Sequence, residues 1–293
     1  MTNSSEVPIA ADAGPRPRDS ELDIYGMTHP GKVRPNNEDH FFVGALQKRM
    51  EVYCTSLPGV AQFNSERLAM LAMVADGVGG AAAGEEASRL ALEGVTKYLA
   101  QTLQCYYSSD VPHDDEFMHT LEEAALKVHN EMATITDEDR SLRGMATTLT
   151  LWLGVWPRAY LLQVGDSRCY VLKDGQLIQI SRDQTMAEDL VEQGVFTRTD
   201  AARTRWAHVL SSAIGGPQAA PTVTRMEQGW GIVGLLCSDG LTRHVSDDRI
   251  RERLMTMTSA RQACEALVQD ALDEGGQDNI TVVIGRAVQK AAD

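Results

Sequence analysis

The pattern of apolar and polar positions along the chain predicts a series of short strands and three long helices. The strand segments are apolar or alternate between apolar and polar residues, and Gly, Pro, Asp or Asn bounds each of them. They cover residues 23–28, 39–46, 68–75, 147–155, 159–164, 168–172, 176–180, 222–226, 231–237 and 279–285. Apolar residues recur instead at steps of three and four over residues 85–103, 116–132 and 260–272, which predicts amphipathic helices.

Two short breaks between predicted strands indicate antiparallel hairpins. Residues 156–158 separate two apolar runs, and residues 173–175 contain the Asp-Gly dipeptide that tight turns favour. Two adjacent long helices among antiparallel strands are typical of an α+β protein and not of alternating βαβ units. We therefore expect sheets packed together, with helices covering their outer faces.

Length and composition favour one globular domain with short flexible ends. The chain has 293 residues, 43% of them hydrophobic, and no apolar run approaches the roughly 20 residues of a membrane helix. Residues 1–21 lack the features of a signal peptide and are rich in Pro, Ala, Ser and Asp, so we expect a disordered tail. We expect one domain over residues 22–288 and a short tail over residues 289–293.

Net charge limits the classes of partner, and cysteine content indicates the cellular location. A net charge of -14 argues against nucleic acid or an anionic membrane as the main partner. The five cysteines form no CxxC pair and have no zinc-type spacing. Cys169 and Cys237 lie within apolar runs, as small buried hydrophobic residues do. We therefore expect a reducing, cytoplasmic location.

Carboxylates stand at the ends of several predicted strands, where an unpartnered charge is costly. Glu38 and Asp39 precede one strand, Asp76 and Asp239 each end a strand before a glycine, and Asp278 begins another. If these strand ends converge, the like charges must raise one another's pKa or bind cations. Because these candidate ligands are all carboxylates and no Cys/His spacing suits zinc, their oxygen atoms favour Mg²⁺, Mn²⁺ or Ca²⁺ over zinc.

Gly77 and Arg34 complete the candidate site. Glycine permits unusual backbone angles, so the carbonyl of Gly77 can approach a metal closely. Arg34 lies shortly before Glu38, and its planar guanidinium suits a phosphate dianion. Two metal ions about 3.5–4 Å apart lower the pKa of a bridging water, which makes it a nucleophile towards phosphorus. The combination predicts a phosphoryl substrate.

Six short motifs occur in a characteristic order along the chain. They are R-x-x-N-E-D, V-A-D-G-x-G-G, G-M-x-T-T-L, V-G-D-S-R, L-C-S-D-G-L and D-N-I-T-V. In this order they resemble the metal-dependent type-2C Ser/Thr protein phosphatases, the PPM family, especially its compact bacterial form. The resemblance covers residues 22–286. It implies an α+β fold, a β-sandwich of two antiparallel sheets flanked by α-helices in four α-β-β-α layers.

The resemblance also implies a set of metal ligands. Asp76 would bridge two Mn²⁺ or Mg²⁺ ions, and the Gly77 carbonyl would complete the coordination of one of them. Asp239 and Asp278 would bind the other ion. Asp76 and Asp239 are therefore the residues on which catalysis is expected to depend.

The remaining implied roles concern the substrate and the outer ligands. Glu38 and Asp39 would act on the metals directly or through water, and Arg34 would hold the phosphate. The expected substrates are phosphoserine and phosphothreonine on proteins, hydrolysed by metal-activated water without a phosphoenzyme. We expect a monomeric enzyme that opposes a Ser/Thr kinase.

The sequence departs from the family pattern at three positions. Val78 stands where some members carry a histidine proposed as general acid, so the proton for the leaving group must come from elsewhere. Arg143 stands where many members have an aspartate for a third metal, which leaves that third site open. Residues 181–212 resemble the mobile flap beside the active site, and Ser212 replaces an arginine that is frequent there. Asp166 is expected to support a loop.

Two other functions remain open. A pseudophosphatase would bind phosphoproteins without turnover, and Val78 and Arg143 are the residues in its favour. A two-metal phosphodiesterase or nuclease would use a similar site. The net charge of -14 and the lack of a basic groove with interspersed aromatic residues argue against it.

Overall fold

The chain folds into two packed antiparallel sheets with helices outside them. A computed structural model describes residues 14–48, 66–78, 81–106, 114–201 and 203–289. Its strands are β1 (Leu22–His29), β2 (Asp39–Lys48), β3 (Glu66–Val78), β4 (Ala146–Thr147), β5 (Leu149–Val155), β6 (Arg158–Val164), β7 (Arg168–Lys173), β8 (Gln176–Gln179), β9 (Thr222–Glu227), β10 (Val233–Cys237) and β11 (Ile280–Ala287). Its helices are α1 (Ala81–Tyr106), α2 (Asp114–Glu138), α3 (Met186–Glu192), α4 (Arg198–Ala201), α5 (Asp239–Thr242), α6 (Asp247–Met255) and α7 (Ala260–Asp273).

Each sheet is antiparallel throughout. One has the strand order β1-β11-β10-β7-β8, and the other has the order β2-β3-β5-β6-β9, with β4 paired to the end of β3. The hairpin from β7 to β8 turns at Asp174 and Gly175, which both have positive φ (49° and 75°). Two such residues are the requirement of a type I′ turn, so this predicted hairpin is confirmed.

Three apolar clusters hold the four layers together. The inner cluster lies between the sheets and includes Val74, Leu161 and Leu236. A second joins the β3 sheet to α1 and α2, and a third joins the β11 sheet to α5, α6 and α7. Cys169 and Cys237 are buried free thiols, as their apolar surroundings in sequence indicated. The α+β sandwich and its four-layer order are confirmed.

The predicted strands and long helices are confirmed, with small shifts at their ends. The strand predicted over residues 147–155 is interrupted after Thr147, where β4 ends and β5 begins. The four shorter helices α3, α4, α5 and α6 were not predicted. Each is short, and α6 buries only Ile250 and Leu254, one turn apart, so its apolar pattern is too brief to detect.

The N-terminal residues 14–21 pack against the domain, although the sequence placed them in a disordered tail. The indole of Trp156 donates a hydrogen bond to the Gly14 carbonyl (3.2 Å), and Trp230 donates to the Pro15 carbonyl (2.9 Å). Residues 1–13 and 290–293, which include the rest of both expected tails, lie outside the described residues. No helix in the described part of the chain is long and apolar enough to cross a membrane.

Candidate active site

One cleft at an end of the sandwich collects most of the predicted site residues. The ends of β3, β10 and β11 and the connection from β1 to β2 meet there. Six of the seven predicted site residues line this cleft: Arg34, Glu38, Asp76, Gly77, Asp239 and Asp278. The seventh, Asp39, lies beneath them and is only 3% exposed. Carboxylates separated by up to 240 residues in sequence are thus brought to one place.

The backbone around Asp76 is fixed by the two threonines of the G-M-A-T-T-L motif. The Thr148 hydroxyl accepts a hydrogen bond from the Asp76 amide (3.0 Å), and the Thr148 amide donates to the Asp76 carbonyl (2.9 Å). The Thr147 hydroxyl donates to the same carbonyl (2.9 Å). Asp76 pairs directly with Asp39 across β2 and β3. The motif therefore holds the carboxylate-bearing residue at a defined point of the strand.

Asp39 connects three of the sequence motifs below the cleft. Its Oδ2 accepts hydrogen bonds from the hydroxyls of Ser238 (2.7 Å) and Thr281 (2.7 Å). The Ser238 hydroxyl in turn accepts a hydrogen bond from the Thr281 amide (3.0 Å). Asp39 Oδ1 is buried and has no hydrogen-bond partner. An unsatisfied buried carboxylate oxygen is unfavourable unless a further cation or donor reaches it.

Gly77 lies where only a glycine fits. A Cβ on Gly77 would lie 2.7 Å from the Glu38 carbonyl oxygen and still closer to that of Gly84. A Cβ on Gly84, in the first turn of α1, would meet the Glu38 carboxylate and force that side chain to shift. The hydroxyl of Ser88 on the same helix donates to the Glu38 carbonyl (2.6 Å). Helix α1 is therefore seated directly against this wall of the cleft.

Asn279 clamps the loop that carries Glu38. Its Oδ1 accepts a hydrogen bond from the Glu38 amide (2.8 Å). Its Nδ2 donates to the carbonyls of Pro30 (3.0 Å) and Asn36 (2.9 Å). This explains why an asparagine follows Asp278 in the D-N-I-T-V motif, because it fixes the first motif against the last.

Two arginines hold the carboxylates of Asp239 and Asp278. Arg34 forms a bidentate pair with Asp278 through Nε (2.8 Å) and Nη2 (2.9 Å). Arg243 contacts Asp278 through Nη1 (2.8 Å) and also pairs with Asp239 one turn earlier in the chain. Sequence reasoning missed Arg243. Its position four residues after Asp239 was the available signal, since residues at that spacing share a helix face.

Burial and mutual repulsion raise the pKa values of the carboxyl groups. Burial raises the pKa of Asp39 to about 7, against the hydrogen bonds from Thr281 and Ser238. Burial, with the charges of Asp39 and Asp239, raises the pKa of Asp76 well above its usual range. Burial also raises the pKa of Asp239, opposed by the charge of Arg243. The group carries more negative charge than its surroundings favour, which is the condition for binding a cation.

The chemistry of these residues fits a hard divalent cation. The donors are carboxylate and carbonyl oxygens, the type that Mg²⁺ and Mn²⁺ prefer, and Asp39 Oδ1 is without a partner. Within the described ranges, however, no three Asp, Glu, His or Cys side chains are already arranged as a metal site. The ion pairs of Arg34 and Arg243 give a physical reason, because they direct Asp278 and Asp239 towards guanidinium groups.

The V-G-D-S-R loop supports the site through residues other than the predicted one. Ser167 shares a hydrogen bond with Thr148 (2.7 Å), and the Gly165 amide donates to Gln184 Oε1 (2.8 Å). Asp166 instead lies in the cleft wall, where burial and the charge of Asp239 raise its pKa to about 8. The bracing predicted for Asp166 is therefore made by its neighbours.

The predicted flap lies beside the cleft. Met186, His208 and Val209 line it from residues 181–212, and Ser212 is buried, where its hydroxyl accepts a hydrogen bond from the Ala220 amide (2.9 Å). Sequence reasoning gave His208 no partner, although it faces the same cleft as Asp239.

The other departures from the family pattern lie at the cleft rim. Val78 also lines the cleft and is 43% exposed. Arg143 is exposed and precedes Gly144, which is part of the cleft wall.

Comparison with known proteins decides the family. The protein phosphatase 2C family model matches residues 60–275. The chain belongs to this family. A curated relative, the serine/threonine protein phosphatase PstP of Mycobacterium tuberculosis, is 34% identical over 258 residues. That match covers 88% of this chain but only 43% of PstP, so the chain spans less than half the length of this relative.

A second relative and a solved catalytic domain match this chain over most of their own length. The serine/threonine phosphatase Stp of Listeria monocytogenes is 27% identical over 259 residues, covering 88% of this chain and 92% of Stp. The catalytic domain of PstP, solved in complex with two manganese ions, superposes with a TM-score of 0.71 at 34% identity. That superposition covers 92% of this chain and 99% of the PstP domain, so the fold match extends across the whole catalytic domain.

Proposed function

We propose that this chain is a metal-dependent protein serine/threonine phosphatase that hydrolyses phosphoserine and phosphothreonine with metal-activated water. The observation that carries the proposal is the cleft in which carboxylates from five separate motifs converge beside Arg34. Membership of the protein phosphatase 2C family supports the same activity. So does the PstP catalytic domain, which was solved with two manganese ions.

The proposed metal ligands are those that the family resemblance implies, and their positions in the cleft support the proposal. Asp76 and the Gly77 carbonyl would hold the metals at the end of β3, and Asp239 and Asp278 would hold one ion at the starts of α5 and β11. Two such ions, Mn²⁺ or Mg²⁺, would lower the pKa of a water and neutralise phosphate charge. Asp76 and Asp239 are accordingly the residues on which catalysis would depend.

Glu38, Asp39 and Arg34 have supporting roles in this proposal. Glu38 lines the cleft and Asp39 lies below it, so the two would act on the metals directly or through ordered water. The Arg34 side chain is 52% exposed, which leaves it free to turn from Asp278 to a phosphate. Its planar fork of donors would then orient the phosphate dianion.

One observation favours the alternative of a phosphoprotein-binding module without turnover. Asp239 and Asp278, two of the proposed ligands, are each paired with an arginine. Permanent ion pairs there would keep these two carboxylates from a metal, and the guanidinium groups of Arg34 and Arg243 would remain in the cleft to contact a phosphate. Metal-dependent turnover separates the two functions.

The wider setting is also a proposal. We propose a monomer in the cytoplasm that removes phosphate from the products of a Ser/Thr kinase. Sedimentation of the purified chain tests the monomer, and a sedimentation coefficient of a dimer would exclude it.

The test is hydrolysis of p-nitrophenyl phosphate by the full chain after EDTA treatment and again after Mn²⁺ or Mg²⁺ is restored. We expect activity only with metal, and a loss of at least a hundredfold in Asp239→Asn, because electrostatic stabilisation by one such group is worth about that much. Asp248→Asn, an exposed change on α6, is the matched control and should retain activity. Metal-independent turnover, or none from folded protein, would contradict the proposal. Faster turnover of the bis-p-nitrophenyl diester would indicate a phosphodiesterase.

A further inference from the structure

The guanidinium of Arg243 lies between two of the proposed metal ligands. It contacts Asp278 through Nη1 (2.8 Å) and Asp239 through Nη2. Arg243 directly follows α5, and Asp239 is the first residue of that helix, so one helical turn brings the two side chains together. Asp278 comes from the start of β11, on the other side of the contact. A single side-chain cation thus bridges carboxylates from two motifs.

The Asp278 carboxylate has no acceptor site left while Arg243 stays in place. Its Oδ1 contacts Arg34 Nε (2.8 Å) and accepts from the Asn279 amide (3.0 Å). Its Oδ2 accepts from Arg34 Nη2 (2.9 Å) and Arg243 Nη1 (2.8 Å). A carboxylate offers about four lone-pair sites, and four donors now use them. A metal ion can bind Asp278 only if one of these donors leaves.

Other contacts already hold the turn that carries Arg243, so its side chain is not needed for that purpose. The Arg243 amide donates to the Asp239 carbonyl (2.9 Å), and Leu241 is fully buried. His244 contacts the Gly240 carbonyl through Nδ1 (3.0 Å) and accepts from the Gln277 amide (3.2 Å) through Nε2. The Arg243 side chain is 33% exposed, which gives it a path into solvent.

We infer that Arg243 is a built-in competitor of a divalent ion for Asp239 and Asp278. This inference rests on the proposed function and states how the chain regulates its own metal site. The guanidinium of Arg243 and the metal compete for the same two carboxylates, so the metal binds more readily once the Arg243 contacts break. Arg243 therefore lowers the affinity of one metal site and sets the concentration of Mn²⁺ or Mg²⁺ at which that site fills.

Replacing Arg243 should increase the affinity of that site for a divalent ion. Arg243→Asn deletes one positive charge, and the stronger repulsion that remains between Asp239 and Asp278 favours a cation. Partly exposed ion pairs are weak individually, but Arg243 makes two of them, so we expect the dissociation constant of the ion at Asp239 and Asp278 to fall about tenfold. Arg243→Lys keeps the charge without the planar fork, so its dissociation constant should lie between those of wild type and Arg243→Asn. Arg261→Ala is the matched control, since it removes an arginine from an exposed ion pair with Glu265 on α7.

The experiment is titration of the EDTA-treated full chain with Mn²⁺. Binding is measured by calorimetry and by the electron paramagnetic resonance signal of free Mn²⁺. The rise in unfolding temperature with Mn²⁺ is a second readout and shows that each variant folds. We expect wild type and Arg261→Ala to bind Mn²⁺ with the same affinities. Arg243→Asn should bind one Mn²⁺ ion more tightly than wild type does. Equal or weaker binding in Arg243→Asn would overturn the inference and leave the proposed function standing. No Mn²⁺ binding by any variant would overturn both.

Discussion

Replacing Thr148 by valine tests how the T-T motif supports the cleft. The Thr148 side chain is 1% exposed, and its hydroxyl accepts from the Asp76 amide (3.0 Å) and shares a hydrogen bond with Ser167 (2.7 Å). Valine has nearly the same shape as threonine, so the substitution keeps the packing and removes both hydrogen bonds of the hydroxyl. A donor left without a partner costs about 1–3 kcal/mol and the second bond about 1 kcal/mol. We expect the free energy of unfolding to fall by about 2–4 kcal/mol.

The assay is urea unfolding followed by far-ultraviolet circular dichroism and by tryptophan fluorescence, with coincident transitions required. Turnover of p-nitrophenyl phosphate is measured in parallel, and we expect it to fall because Asp76 loses a backbone anchor. Thr148→Ser is the matched control, since it keeps the hydroxyl and loses only a methyl group. If Thr148→Val stays within about 0.5 kcal/mol of wild type, or if Thr148→Ser is as unstable as Thr148→Val, the reasoning is refuted.

Three further predictions concern the phosphate, the glycine and a distant ion pair. Arg34→Ala should raise KM for phosphopeptides about tenfold with a smaller change in kcat, as expected for a lost charged hydrogen bond; an unchanged KM would remove its role. Gly77→Ala should push the surrounding backbone apart, lower the free energy of unfolding by about 1–3 kcal/mol and remove most activity. Wild-type stability and wild-type activity in this variant would contradict the steric interpretation. Asp270 has its pKa lowered to about 2 by hydrogen bonds from Arg253 and Arg249. Asp270→Asn should therefore cost about 1 kcal/mol at pH 7. Since that pKa is depressed, the difference from wild type should shrink as pH falls below about 4 and vanish only near about pH 1, and a difference that is undiminished at pH 2 would count against the ion pair.

Most of the fold was predictable because its strands carry strong local signals. β5, β6 and β10 are apolar and end at turn residues, and the long helices repeat their apolar faces over several turns. The carboxylates were detectable for a related reason, since an acidic residue at the end of an apolar strand needs a partner. Asp76 and Asp239 are the clearest examples, because each comes after a run of buried apolar residues and precedes a glycine.

The ion pairs within the cleft could not be predicted from the sequence. Arg34 and Asp278 are 244 residues apart, and Arg243 reaches Asp278 only because α5 packs beside β11. Helix α5 itself has four residues, too few to show a period. The unpartnered Oδ1 of Asp39 likewise depends on the tertiary positions of Ser238 and Thr281, which occupy the other oxygen.

The most direct measurement of the central claim is phosphate release from a phosphothreonine peptide by the full chain, with Mn²⁺ and then with EDTA. The account predicts multiple turnovers with Mn²⁺, background release in EDTA, and background release from Asp239→Asn at any Mn²⁺ concentration. Phosphate release by Asp239→Asn at the wild-type rate, or no release by folded wild type that has bound Mn²⁺, would contradict it.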